Sequence, residues 1–194
     1  MATQAAEHPI TLRVDDDLSR NRLTVFFRLI LAIPHFVVVA LWGVVFFLLG
    51  FVSWLVALFT GSLPEGLHGF QASYVRYANR VNAYLYLVAD PYPPFGAGGT
   101  YPVDLEIAGP ERQSRLTVFF RLILALPAWI LASLLMQLAQ ILGFIAWFVC
   151  LFTGKMPQGM RDLSAFCLRY YSQTFGYAFL LTQRYPSLSG GPTA

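Results

Sequence analysis

Residues 22–34, RLTVFFRLILAIP, recur almost letter for letter at 115–127, RLTVFFRLILALP, and one ungapped 93-residue offset carries the match outward in both directions. At that offset residues 9–95 pair with 102–188, and 33 of the 87 positions are identical. A chain written twice folds as two copies of one unit, so an element read in one copy is expected in the other. The copies also compare with each other: what both hold belongs to the module.

Each copy contains an apolar stretch, 29–61 and 122–154, without a single Asp, Glu, Lys or Arg. Both exceed the roughly 20 residues that span a bilayer core. Hydrophobic residues make up 57% of the chain and charged residues only 12%, against about 25% charged in a soluble domain. This composition predicts an integral membrane protein. The 16% aromatic content fits rings at headgroup level. MATQAAEHPITLRVDDD has neither a basic start nor an apolar run, so no cleaved signal peptide is read there. The net charge of +3 is small, and the basic residues flank the apolar runs. Anionic lipid, and not nucleic acid, is the expected counter-charge.

Each copy opens on a segment of period two, Ile10, Leu12, Val14 and Val103, Leu105, Ile107, which reads as a half-buried strand. The two are expected to pair as a ribbon at the membrane surface, with an extended lead-in as the other reading. A polar step and RLTVFFRLIL follow. On a helix, Asn21, Thr24 and Arg28 fall on one narrow stripe, as do Ser114, Thr117 and Arg121. Pro34 and Pro127 are expected to kink that helix.

Residues 23–60 would make one helix of about 57 Å, too long for a simple crossing. Two readings are open: a hairpin turning near 40–47, or a surface helix to Pro34 followed by one crossing over 35–59. Ser133, Gln137 and Gln140 at the copy-two apex favour the hairpin, being costly among lipid tails. Charge favours it too. Arg20, Arg22 and Arg28 precede the first run and His68, Arg76 and Arg80 follow it; Arg112, Arg115 and Arg121, then Lys155, Arg161 and Arg169, frame the second. Basic residues at both ends put both ends in the cytoplasm and the two copies in the same orientation. The tails, YVRYANRVNAYLYLV and CLRYYSQTFGYAFLL, read as amphipathic helices at the interface, with Arg76, Tyr77, Arg169 and Tyr170 toward the headgroups. The expected fold is an all-α integral membrane protein of two tandem repeats, 9–95 and 102–188. Each repeat has a short strand, a Pro-kinked transmembrane hairpin and an interfacial helix, giving about four passes.

R-L-x-x-F-F-R-L-I-L-x-x-P, then W-x-x-x-x-F-T-G-x-x-P-x-G, then R-Y and a closing Y-P stand in both copies. On these motifs the chain resembles a family of bacterial membrane proteins known as domain of unknown function 4389, present twice. The resemblance implies a bacterial membrane location and the repeated module, and brings no catalytic residue.

Among shared residues, Arg28 and Arg121 are the sharpest candidates. Each sits inside an apolar helix, where it can anchor helix depth by snorkelling or, with its counterpart, converge on one anionic lipid headgroup. Arg76, Arg169, Tyr77 and Tyr170 are further candidates for lipid or partner contact. T-G-x-x-P-x-G lacks the spacing of a nucleotide loop and reads as helix stop, turn and helix start. His8, His35, His68, Asp15–Asp17, Cys150 and Cys167 each stand in one copy only. No metal spacing, cofactor motif or catalytic constellation is shared by both copies. The expected function is therefore a non-enzymatic accessory or scaffold module, binding lipid, a membrane-protein partner or further copies of itself. The alternative is a small transporter, channel or lipid-handling protein with a pathway between the repeats. The expected location is multi-pass in the cytoplasmic membrane.

Overall fold

The structure is a computed structural model that describes residues 8–189; the signal-peptide reading rests on residues 1–17, of which 1–7 lie outside the described residues. Strands β1 (Ile10–Val14) and β2 (Val103–Ile107) pair antiparallel, as the alternating pattern predicts, with Leu12 opposite Leu105. Those two leucines are equivalent at the 93-residue offset. The register therefore sets a pseudo-twofold axis through the centre of the ribbon.

Helix α1 (Arg22–Thr60) opens on Asn21, whose side chain accepts from the Leu23 N–H. It ends at Gly61, which at φ 77° returns its N–H to the Ala57 carbonyl. Gly154 does the same at φ 71° toward Cys150. A left-handed cap of this kind suits a residue without Cβ. Pro64 and Pro157 then lead directly into α2 (Glu65–Leu85) and the second copy's final helix, so T-G-x-x-P-x-G is the turn its composition predicts.

The hairpin within each apolar run does not form. α1 is continuous over 39 residues and passes through Pro34. In the second copy a one-turn α3 (Arg115–Phe119) and α4 (Arg121–Thr153) are separated at Phe120, and α4 passes through Pro127. Residues 40–47 offer only Gly43 as a turn former, and in apolar surroundings an unbroken helix best satisfies the backbone. Two of the three polar residues of the supposed apex bond within the fold, Ser133 donating to the Ile130 carbonyl at 2.7 Å and Gln140 bonding Tyr86, while Gln137 is exposed. About four passes required two helices in each run, and each run supplies one helix long and apolar enough to cross a membrane.

Nor do the copies face the same way. Trp54, late in α1, donates to the Val118 carbonyl in α3 at 2.9 Å, and Trp147, late in α4, donates to the Val25 carbonyl at 2.8 Å. These reciprocal bonds make α1 and α4 antiparallel, with the pseudo-twofold perpendicular to them. α2 and α5 (Gln158–Ala178) also run antiparallel. His68, early in α2, bonds the Leu181 carbonyl just past α5, and the equivalent residues Asn79 and Ser172 meet at the middle, 3.3 Å apart.

Three layers result. Gln71, Tyr74, Tyr77 and Tyr84 of α2 turn to Ser53, Val39, His35 and Arg28 of α1, while Arg76 and Arg80 on the opposite side bond the ribbon. The Tyr/Arg helices expected at the interface are thus the middle layer, between the long apolar pair and the ribbon. Their aromatic stripe packs inward, Tyr74 against Trp42 and Phe46 of α1, and glycines of the long helices admit the rings that follow α2 and α5. Gly50 lies under the Phe179 ring, and its equivalent Gly143 lies against Tyr86, the equivalent of Phe179. The hydrophobic clusters draw on both repeats: Val25 and Leu87 pack with Ala146, Cys150 and Met156, and Ala57 and Leu63 pack with Val118 and Leu180.

Candidate functional site

The two ends of the sandwich are closed by Arg28 and Arg121. Arg28 Nη1 donates to the carbonyls of Tyr84 and Ala89, Nη2 pairs with Asp90 at 2.8 Å, and the guanidinium lies 4.2 Å from the Tyr84 ring centroid. Arg121 repeats this with Thr182 in place of Ala89, Tyr177 in place of Tyr84, and Gln113 as its side-chain acceptor. Both are buried. Each fastens the start of a long helix to the end of the middle helix of its own copy. They stand at opposite ends of the antiparallel pair, so they do not converge on one headgroup.

Arg20 and Gln113 complete the ends. Arg20 pairs with Asp16 at 2.6 Å and donates to the carbonyls of Leu87 and Val88. The equivalent Gln113 donates to the Leu180 carbonyl at 2.5 Å. Leu87 and Leu180 hold φ of 61° and 66°, a strained conformation for leucine. Their side chains fill the end clusters and their carbonyls turn to these donors. Sequence comparison alone missed the pair, because arginine and glutamine share no charge and only their common acceptor reveals the common role.

Tyr77 is fully buried, burial pushes its hydroxyl up to about 12, and the hydroxyl shares a hydrogen bond with His35 Nδ1 at 2.6 Å. Tyr170 is buried as well, so neither tyrosine reaches a headgroup. Arg76 and Arg169 face the ribbon side, where Arg76 and Arg80 share Asp104. Asp15, Asp16, Asp17 and Asp90 line a depression, but Asp16 and Asp90 are taken by arginines, and no metal-binding group of three occurs among the described residues. A cleft of about 330 Å³ lies between α1, α2 and α5, with Asn79, Asn82 and Ser172 on an otherwise apolar wall.

Burial lowers the His68 pKa below 6.5, partly offset by the Leu181 carbonyl and by Glu111. The unfolded chain then binds the proton more readily, so this share of stability is complete above about pH 6.5 and fades as pH falls through the lowered value. Thermal unfolding between pH 7.5 and 5 is expected to show His68→Gln losing less stability on acidification than the parent. An identical pH slope for both refutes the assignment.

The largest feature is the outer face of the long pair. Leu29, Ile30, Leu48 and Phe51 on α1, and Leu122, Ile123, Ile141 and Phe144 on α4, are exposed along its length with no charge among them. On the far side the ribbon turns Arg13 and Glu106 outward. The molecule is apolar on one broad face and charged on the other.

No curated protein and no solved structure shows significant similarity to the chain. The profile of a family described as a domain of unknown function (DUF4389) matches residues 22–97 and again 115–189. Both matches open on an arginine that starts a helix, Arg22 of α1 and Arg115 of the short α3, and carry through the middle helix that the buried arginine fastens. The chain belongs to that family, as two tandem copies.

Proposed function

We propose that this chain is a non-enzymatic scaffold module of the bacterial cytoplasmic membrane. It immerses α1 and α4 side by side in one leaflet and holds the ribbon face in the cytoplasm for a membrane-associated partner. The observation that carries this reading is the broad apolar face opposite a charged one. A crossing orientation would put the ribbon, with Arg13, Asp104 and Glu106, at bilayer depth, where each charge costs about 2.5–3.5 kcal/mol. It would also leave a charge-free run of 33 residues, about 50 Å, to cover a core about 30 Å thick. Lying flat, the pair is about one helix diameter deep, 10–12 Å, within one leaflet. The basic residues that stay exposed at the ends of the runs, Arg22, Arg112, Arg115 and Lys155, then meet a single anionic surface.

Single cysteines at Ser62 and Lys155 mark the far ends of α1 and α4. In sealed vesicles, an impermeant maleimide is expected to reach both, and Thr11→Cys on the ribbon, from the same side. Labelling of the two helix ends from opposite sides would establish crossing and overturn the flat arrangement.

A further inference from the structure

Arg169 is only 4% exposed, and no acid pairs with it among the described residues. Its Nη1 donates to the Ser189 carbonyl at 3.0 Å and its guanidinium lies 5.3 Å from the Phe166 ring centroid. Nε and Nη2 are buried and meet no acceptor. A buried cation without a counter-charge is strongly unfavourable.

The other copy shows what is missing. Arg76, the equivalent of Arg169, has Nε 3.9 Å from Asp104 and donates to the Leu105 carbonyl at 2.9 Å. Under the pseudo-twofold, the position of Asp104 on β2 falls to Thr11 on β1, and that of Arg80 falls to Gln173, which is spent on the Ile10 carbonyl at 2.9 Å. The second half has kept the arginine and lost the carboxylate. Beside it, His8 Nε2 is buried without a hydrogen bond of good geometry, its ring lies by the Arg184 backbone, and both Arg169 and Arg184 act on it with positive charge. Nε and Nη2 are adjacent edge donors of one guanidinium, the pair that grips two oxygens of a phosphate or carboxylate.

We propose that Arg169 and His8 form a binding site for a soluble oxyanion, a phosphate or carboxylate group, where the start of β1 crosses α5. The bound group supplies the charge that Asp104 supplies in the other half. The site lies on the ribbon side, away from the apolar layer. That its ligand comes from solution and not from the bilayer rests on the flat arrangement proposed above; the presence of the site does not.

The test uses the full chain in phosphatidylcholine nanodiscs, with thermal unfolding in phosphate, acetate or chloride at equal ionic strength. Phosphate or acetate at about 10 mM is expected to raise Tm by about 3 °C over chloride. Thr11→Asp, which restores the missing carboxylate, is expected to raise Tm in chloride and abolish the anion response. Arg169→Gln abolishes the response, and Lys155→Gln retains it. No anion-specific shift in the parent, or a shift that survives in both Thr11→Asp and Arg169→Gln, overturns the site. In discs containing phosphatidylglycerol, a persistent response to added phosphate supports a soluble ligand; its loss there alone overturns that source in favour of a lipid headgroup. The labelling experiment fails or succeeds independently of all these readouts.

Discussion

Arg28→Leu is expected to lose about 3–5 kcal/mol of stability, the cost of breaking a buried charged network by removing one partner. The substitution strands the carbonyls of Tyr84 and Ala89 and the Asp90 carboxylate, all of which Arg28 now serves. Such a loss is a large share of the 5–15 kcal/mol that holds a typical domain together. Arg28→Lys is expected to recover little, because an ammonium cannot fork between two carbonyls and a carboxylate while lying over a ring. Arg121→Leu should cost less, since its acceptors, the Thr182 carbonyl and Gln113, are neutral. Melting of the purified variants in detergent, followed by near-ultraviolet circular dichroism, checks the order. Equal melting of Arg28→Leu and the parent would show that the clamp contributes nothing.

Paired aspartates on the apolar face should remove the chain from the membrane. Phe51 and Phe144 are equivalent residues, 64% and 67% exposed. An aspartate within hydrocarbon costs about 2.5–3.5 kcal/mol, so the double variant Phe51→Asp/Phe144→Asp opposes insertion by roughly twice that. The expected result is loss from carbonate-washed membranes, whereas Arg13→Asp on the ribbon remains membrane-bound. Full retention of the double variant would show that this face does not meet lipid.

The repeat and the long charge-free runs made the copies, the strand pair, the helix-ending glycines and the T-G-x-x-P-x-G turn legible, because each depends on local backbone chemistry. What the sequence hid was direction. A run of apolar residues looks the same whether it folds back, crosses or lies flat, and of the polar residues that suggested an apex, Ser133, Gln137 and Gln140, the first and last bond within the fold. The same difficulty affected the Tyr/Arg helices. A stripe of tyrosines suits a headgroup zone or an aromatic core, and the rings that meet it on α1, Trp42 and Phe46, select the core. Arg28 and Arg121 stand in both copies, and the structure buries both. The partners that both share are backbone carbonyls 56 to 61 residues further on, which leave no mark on side-chain identity.

The exchanged tryptophans carry a consequence for ancestry. Trp54 closes on Val118 and Trp147 on Val25, each strand's ladder is completed by the other copy's strand, and each end cluster mixes the two. One copy alone leaves all of these contacts open, yet two identical copies could make every one of them, because a half-turn about the axis carries each contact onto its equivalent. The arrangement is that of an isologous homodimer whose protomers have been fused. Fusion keeps the second half at high effective concentration for the first. It also frees the halves from being alike, and so permits an acid at position 104 where its twin, position 11, has none.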